Sequence, residues 1–139
     1  MIKTEYQMQN RLDAVDQMVV LIEASVNTDL QDIGLMGFSI CVSEALTNLV
    51  QHSNSTDKSV PIDILISKND ELIHVEIFDP IGAKYFNPLE NVTTLENVDA
   101  MSEGGRGIGM LLEFSDEIEY GPVNAKNRLK LTFLRDNDN

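Results

Sequence analysis

The order of hydrophobic periods along this chain of 139 residues predicts an α+β two-layer sandwich. Three observations carry that prediction. Two segments in the amino-terminal third place apolar residues at helical spacing, and four later segments alternate apolar and polar residues at strand spacing. One long polar stretch divides the four strands into two pairs. The resulting order is strand, two helices, two strands, lid, helix, two strands, which packs most simply as helices laid on a sheet. The hydrophobic content of 42% is enough for one ordinary core, so residues 1–139 are expected to form a single domain.

Taken in order, the first helix is expected over residues 12–26, where Leu12, Val15, Val19, Ile22 and Val26 recur at three- and four-residue intervals behind Asp13 and Asp16. A second, longer helix runs from Gly34 to His52. Its apolar residues, Leu35, Phe38, Ile40, Val42, Ala45, Leu46, Leu49 and Val50, cover more than one face, which predicts a central position. Ser53 to Asp57 is turn-rich, and Ile62 to Ile66 begins an alternating strand. Lys68 to Glu71 reads as a hairpin loop, and Leu72 to Phe78 returns as the next strand, stopped by Asp79-Pro80-Ile81-Gly82.

Residues 83–103 have no sustained period, a length that in a compact domain marks a lid or mobile segment. Gly104-Gly105-Arg106-Gly107-Ile108-Gly109 then leads into a helix at Met110 to Phe114. Ile118 to Tyr120 and Leu129 to Phe133 are read as two strands on either side of a break at Gly121-Pro122.

Ten basic and twenty-three acidic side chains give a formal charge of −13, which repels a phosphate backbone or an anionic membrane surface and argues against both as partners. An anionic nucleotide would meet the same repulsion. It could bind only through backbone amides, a helix dipole or a divalent cation. The single cysteine, Cys41, lies in an apolar helical run and is expected to be a buried small hydrophobe in a reducing compartment. The amino terminus has no apolar signal core, and no uninterrupted apolar stretch approaches spanning length, so a cytoplasmic location is expected.

Several residues could carry chemistry. Glu44, Asn48 and His52 stand at four-residue steps along one helical face. Asn48 could offer its amide oxygen to a Mg²⁺ bridging phosphates while Glu44 accepts a proton; the same spacing also makes an ordinary solvated stripe. The glycine cluster before an apolar helix can aim free amides at a phosphate, with Arg106 as local positive charge, or can simply form tight turns. Asp79 could meet an exocyclic amine such as that of adenine, or cap its turn. His52 and His74 are isolated, His74 is expected to be exposed, and no metal site made of side chains alone is read.

These signals occur in the order of a known family. Ser43-Glu44-Ala45-Leu46-Thr47-Asn48-Leu49-Val50-Gln51-His52 resembles the N-box of the GHKL (Bergerat-fold) ATPases, in the form found in anti-sigma-factor serine kinases of partner-switching systems. Phe78-Asp79-Pro80-Ile81-Gly82, with Phe86-Asn87-Pro88, is similar to the first glycine box, although the family's usual Asp-x-Gly is Asp-Pro-Ile-Gly here. Gly104 to Met110 is similar to the second, and 116–120 and 127–131 resemble the closing strands.

The resemblance implies a sandwich with helices on one face of a mixed sheet, with ATP and Mg²⁺ as cofactors. It implies Glu44 as general base, Asn48 as Mg²⁺ ligand, Asp79 with Gly82 at the adenine, and the backbone of Gly104, Gly105, Arg106, Gly107, Ile108, Gly109 and Met110 as the phosphate cradle. The implied activity is phosphorylation of a STAS-type antagonist, with sequestration of a sigma factor or other effector, in a homodimer. The competing expectation is a module that binds nucleotide and holds a partner without transferring phosphate.

Overall fold

The computed structural model describes residues 1–52, 59–79, 111, 113–123 and 126–136. Strand β1 (Ile2–Met8) leads through a single 3₁₀ turn at Leu12–Ala14 into helix α1 (Val15–Val26), and helix α2 (Asp32–His52) follows. Strands β2 (Ile62–Lys68) and β3 (Leu72–Phe78) come next; β4 (Glu117–Val123) and β5 (Lys126–Leu134) end the described chain. Residues 111, 113 and 114 are helical. The stretch 83–103, Gly82 and the whole of Gly104 to Met110 lie outside the described residues.

The strands form one sheet in the order β1-β2-β3-β5-β4. The α+β sandwich is therefore found, but the sheet expected to be mixed is antiparallel in all four described pairings. Short connections explain two of these pairings, because a hairpin can only return antiparallel. The β2–β3 link is such a hairpin: Asn69 Oδ1 accepts from the backbone amides of Glu71 and Leu72 at 2.8 and 2.7 Å.

Period-two alternation decides which face is buried. Ile62, Ile64 and Ile66 of β2, Ile73, Val75 and Ile77 of β3, and Leu129, Leu131 and Phe133 of β5 all face the core. Ile22 and Val26 of α1 and Phe38, Cys41, Val42, Ala45 and Leu46 of α2 close over them. Phe38 meets Phe133 edge to face, with ring centroids 4.9 Å apart. The other sheet face carries a charge ladder. Arg128 bridges Glu76 and Glu119 at 3.1 and 3.3 Å, and Lys126 pairs with Asp63 at 3.0 Å.

The central position predicted for the second helix holds, and it explains a mean hydropathy of 1.5 over an 18-residue window within Asp32–Gln51. One side of α2 lies on the sheet. Another receives the short helical piece at 111, 113 and 114, whose Phe114 ring covers Gly37; a Cβ on Gly37 would stand 2.9 Å from Phe114 Cδ1. Cys41 is buried as expected, and loss of solvation pushes its thiol up to about 12.

Three readings need correction. Gly121 and Pro122 are not a break between strands: both lie within β4, opposite Arg128 and Asn127. A proline fits there because β4 is an edge strand, where one backbone donor has no neighbour to serve. Lys68 is not part of the hairpin loop but ends β2, and its Nζ reaches Asp29 at 2.7 Å. His74 is half-buried, with Nδ1 3.0 Å from Thr132 Oγ1 on the neighbouring strand.

Candidate functional site

At one end of the sheet, α2, β3, β5, β4 and the turn at residue 111 enclose a recess lined by Ala45, Asn48, Leu49, Ile77, Asp79, Leu111, Tyr120 and Leu129. Each element supplies its residue for a local reason. On α2 the three-residue step from Ala45 to Asn48 and the next position, Leu49, turn one surface toward the opening. Ile77 is the last core-facing residue of β3, and Asp79 follows the strand's final residue, its amide donating to Asn127 O at 2.9 Å. Tyr120 and Leu129 are opposite each other in the β4–β5 register.

Five wall residues are apolar, and the polar groups are few and convergent. Asp79 is only 4% exposed, and Asn48 only 5%. Burial drives the Asp79 carboxyl up to about 6; side-chain hydrogen bonds from Asn127 and Tyr120 act against that rise. The Tyr120 hydroxyl donates to Asp79 Oδ2 at 3.3 Å. The Asn48 amide nitrogen is buried with no hydrogen-bond partner among the described residues. A buried carboxylate and an unsatisfied buried amide both cost stability unless something else uses them, and together in an apolar recess they make this a candidate ligand site.

The structure thus brings together two of the residues read from sequence, Asn48 and Asp79. Glu44 lies one turn before Asn48 on the same helix, half-buried, and is not among the residues that line the recess. Gly82, Gly104, Gly105, Arg106, Gly107, Ile108, Gly109 and Met110 lie outside the described residues. Leu111, however, directly follows Met110 and forms part of the recess wall, completely buried. The chain leaving the glycine-rich stretch therefore arrives at this recess.

Sequence reasoning missed Tyr120, Leu111 and Asn127. The alternation of Ile118 and Tyr120 could have placed the tyrosine on the core face of its strand. What it could not give is the strand order that sets Tyr120 beside Asp79.

The lining carries groups of the kinds that an adenine ring could contact. Leu49, Ile77, Leu111 and Leu129 offer apolar surface to a flat base, and Asp79 offers an acceptor to an exocyclic amine. Among the described residues no three His, Cys, Asp or Glu side chains converge on a metal position. A cation here would take an amide oxygen from Asn48 and complete its coordination with phosphate and water oxygens, as Mg²⁺ commonly does.

Residues 8–133 match the family model of the histidine kinase-like ATPase domain. Over 83 residues the chain is 31% identical to serine-protein kinase RsbW of Bacillus subtilis (strain 168), a match that takes in 57% of this chain and 52% of that protein. The chain thus spans about half the length of this curated relative. Among solved structures, the histidine kinase domain of the blue-light activated histidine kinase of Erythrobacter litoralis EL346 overlays with a TM-score of 0.52 at 16% identity. That overlay covers 86% of this chain and 60% of the other, and it concerns the fold alone.

Proposed function

Because the chain belongs to the histidine kinase-like ATPase domain family, we propose that it is an ATP- and Mg²⁺-dependent protein-serine kinase of the anti-sigma-factor type. Its substrate in this reading is a STAS-type antagonist, and it also sequesters a sigma factor or other effector. One observation carries the nucleotide part: Asn48 and Asp79, distant in sequence, line the same recess, and Leu111 brings the end of the glycine-rich stretch to its wall. The likeness to RsbW supports the serine-kinase part.

In the proposed site Asp79 accepts from the adenine amine and the apolar walls hold the ring. Asn48 contributes its amide oxygen to Mg²⁺, and the backbone of residues 104–110 holds the phosphates with Arg106 as countercharge. Bound Mg²⁺ supplies neutralisation of phosphate charge, which a protein of net charge −13 especially needs. Glu44 takes the proton of the incoming serine hydroxyl. The rest is positioning, with acceptor and nucleotide held in one geometry and water excluded by the apolar walls.

A second reading has one observation in its favour. Glu44 does not line the recess, as expected of a module that binds nucleotide and holds a partner without transferring phosphate. Titration of the protein with ATP in the presence and absence of Mg²⁺, followed by phosphoserine formation on a purified STAS partner, separates the two. In the kinase reading Glu44→Ala leaves ATP affinity nearly unchanged and slows transfer roughly 10²- to 10⁴-fold. Equal transfer rates for both proteins would remove Glu44 as base. Firm ATP binding without transfer by either protein would establish the holding module.

A further inference from the structure

Tyr120 has no site role in the sequence reading, where 116–120 enter only as a closing strand, yet it occupies a wall of the recess. It belongs to the edge strand β4 and is turned to the helix side, where its ring packs against the core. Its hydroxyl is the donor that meets Asp79 Oδ2 at 3.3 Å. The neighbouring strand adds a second tie, since Asp79 also takes a side-chain hydrogen bond from Asn127 and its own amide donates to Asn127 O at 2.9 Å.

We propose that Tyr120 is a positioning residue of the nucleotide site, holding the Asp79 carboxylate as a charged acceptor at the head of the recess. The inference rests on the adenine-nucleotide reading of that recess. A carboxylate this deeply buried is prone to take a proton, and once protonated it has lost charge and gained a competing donor, both unfavourable for receiving an amine hydrogen. A hydroxyl that donates to the charged form opposes this change.

Among the described residues that line the recess, Asp79 and Tyr120 alone are titratable; α2 contributes Ala45, Asn48 and Leu49, β3 contributes Ile77, β5 contributes Leu129, and the turn contributes Leu111. The charge state of Asp79 is therefore set there by burial and by its two donors. Tyr120→Phe removes one donor and keeps the ring. In the nucleotide-free protein, carboxyl titration of Asp79 followed by NMR should move to higher pH, by roughly half a unit to one unit, the worth of one modest hydrogen bond to a charged group.

Affinity for Mg·ATP should fall in wild type as pH drops through the Asp79 titration, and should begin to fall at higher pH in Tyr120→Phe. The ratio of the two affinities should rise as pH falls through the titration and approach roughly three- to tenfold below it. It should close on going well above that pH. Protonation of the nucleotide's own phosphates is common to both proteins and cancels in the ratio. A ring that merely fills space would instead give a ratio independent of pH.

An unshifted Asp79 titration, or a constant affinity ratio from pH 5 to pH 9, overturns the positioning role while leaving nucleotide binding intact. Failure of wild type to bind Mg·ATP at any pH overturns the nucleotide reading, and the positioning role with it. Matching melting temperatures for the two proteins establish that both are compared in the folded state.

Discussion

Asp79 carries a carboxyl whose charge works against the fold. Its folded-state value of about 6 lies above the ordinary carboxyl value of 3.8, with burial as the leading cause. Between those values the folded chain holds more protons than the unfolded one, so stability falls as pH rises through that window and stays lower above it. At neutral pH the charged Asp79 therefore destabilises the nucleotide-free protein. Asp79→Asn keeps an acceptor for Tyr120 and abolishes the charge. It should raise unfolding stability at pH 7 by on the order of 1–3 kcal/mol and change it little near pH 4. Urea unfolding at the two pH values, with Mg·ATP affinity measured in parallel, checks this; lower stability at pH 7 would contradict a desolvated carboxylate. Only part of the arrangement was legible in the sequence. The end of an apolar strand marks Asp79 as a presented carboxylate. Its donors, Tyr120 and Asn127, come from strands much later in the chain, and no local pattern pairs them with it.

Elements were legible where their signal is local. The apolar spacings of α1 and α2 come from contacts within each helix turn, so both helices fall within a few residues of their expected bounds. The extent of β4 was not, because Gly121-Pro122 reads as a stop unless the strand is known to be an edge. Gly37 was equally silent. A glycine inside a helix costs roughly 1 kcal/mol relative to alanine, and here the added methyl would meet Phe114 Cδ1 at 2.9 Å and Phe114 Cβ at 3.3 Å. The close approach holds Phe114 to the helix that carries Asn48, and Leu111, three residues before Phe114, lines the recess. Gly37→Ala should therefore gain helix propensity and lose more by displacing Phe114, overpacking of this kind costing roughly 1–3 kcal/mol. The expected outcome is a melting temperature at or below wild type together with weaker Mg·ATP binding. A variant that melts higher and binds ATP as wild type does would show that Phe114 simply moves aside and that the turn is not fixed by this contact.

At the scale of the molecule, the sheet separates the recess from an ionic latch. Lys68 ends β2 and Asp79 follows β3, and because these strands run antiparallel the two residues stand at opposite ends of the sheet, about 20 Å apart for strands of this length. Around Lys68, Asp29 from the α1–α2 connection is 5% exposed at its side chain and carries two cations. Lys68 Nζ meets it at 2.7 Å and also donates to Ser25 O at 2.7 Å. Arg135, just beyond β5, donates to the other carboxylate oxygen. The Asp136 amide donates to Asp29 O, and Asp136 Oδ2 accepts from the Gln31 amide. One carboxylate thus ties the helix connection, the β2–β3 hairpin and the end of β5. Asp29→Ala would leave two part-buried cations without that partner. Removing one member of a buried pair costs about 3–5 kcal/mol; Arg135 is 30% exposed, so water will recover part of it, and a loss of roughly 2–3 kcal/mol is expected. Asp29→Asn should lose less, because the amide oxygen can still accept. Since sites this far apart act independently, Mg·ATP affinity should be unchanged at temperatures where the variant is fully folded. Urea unfolding gives the first quantity and calorimetric titration the second. A loss below about 0.5 kcal/mol would reduce the latch to an ordinary surface ion pair. A fall in ATP affinity at full folding would show instead that the two ends of the sheet are coupled.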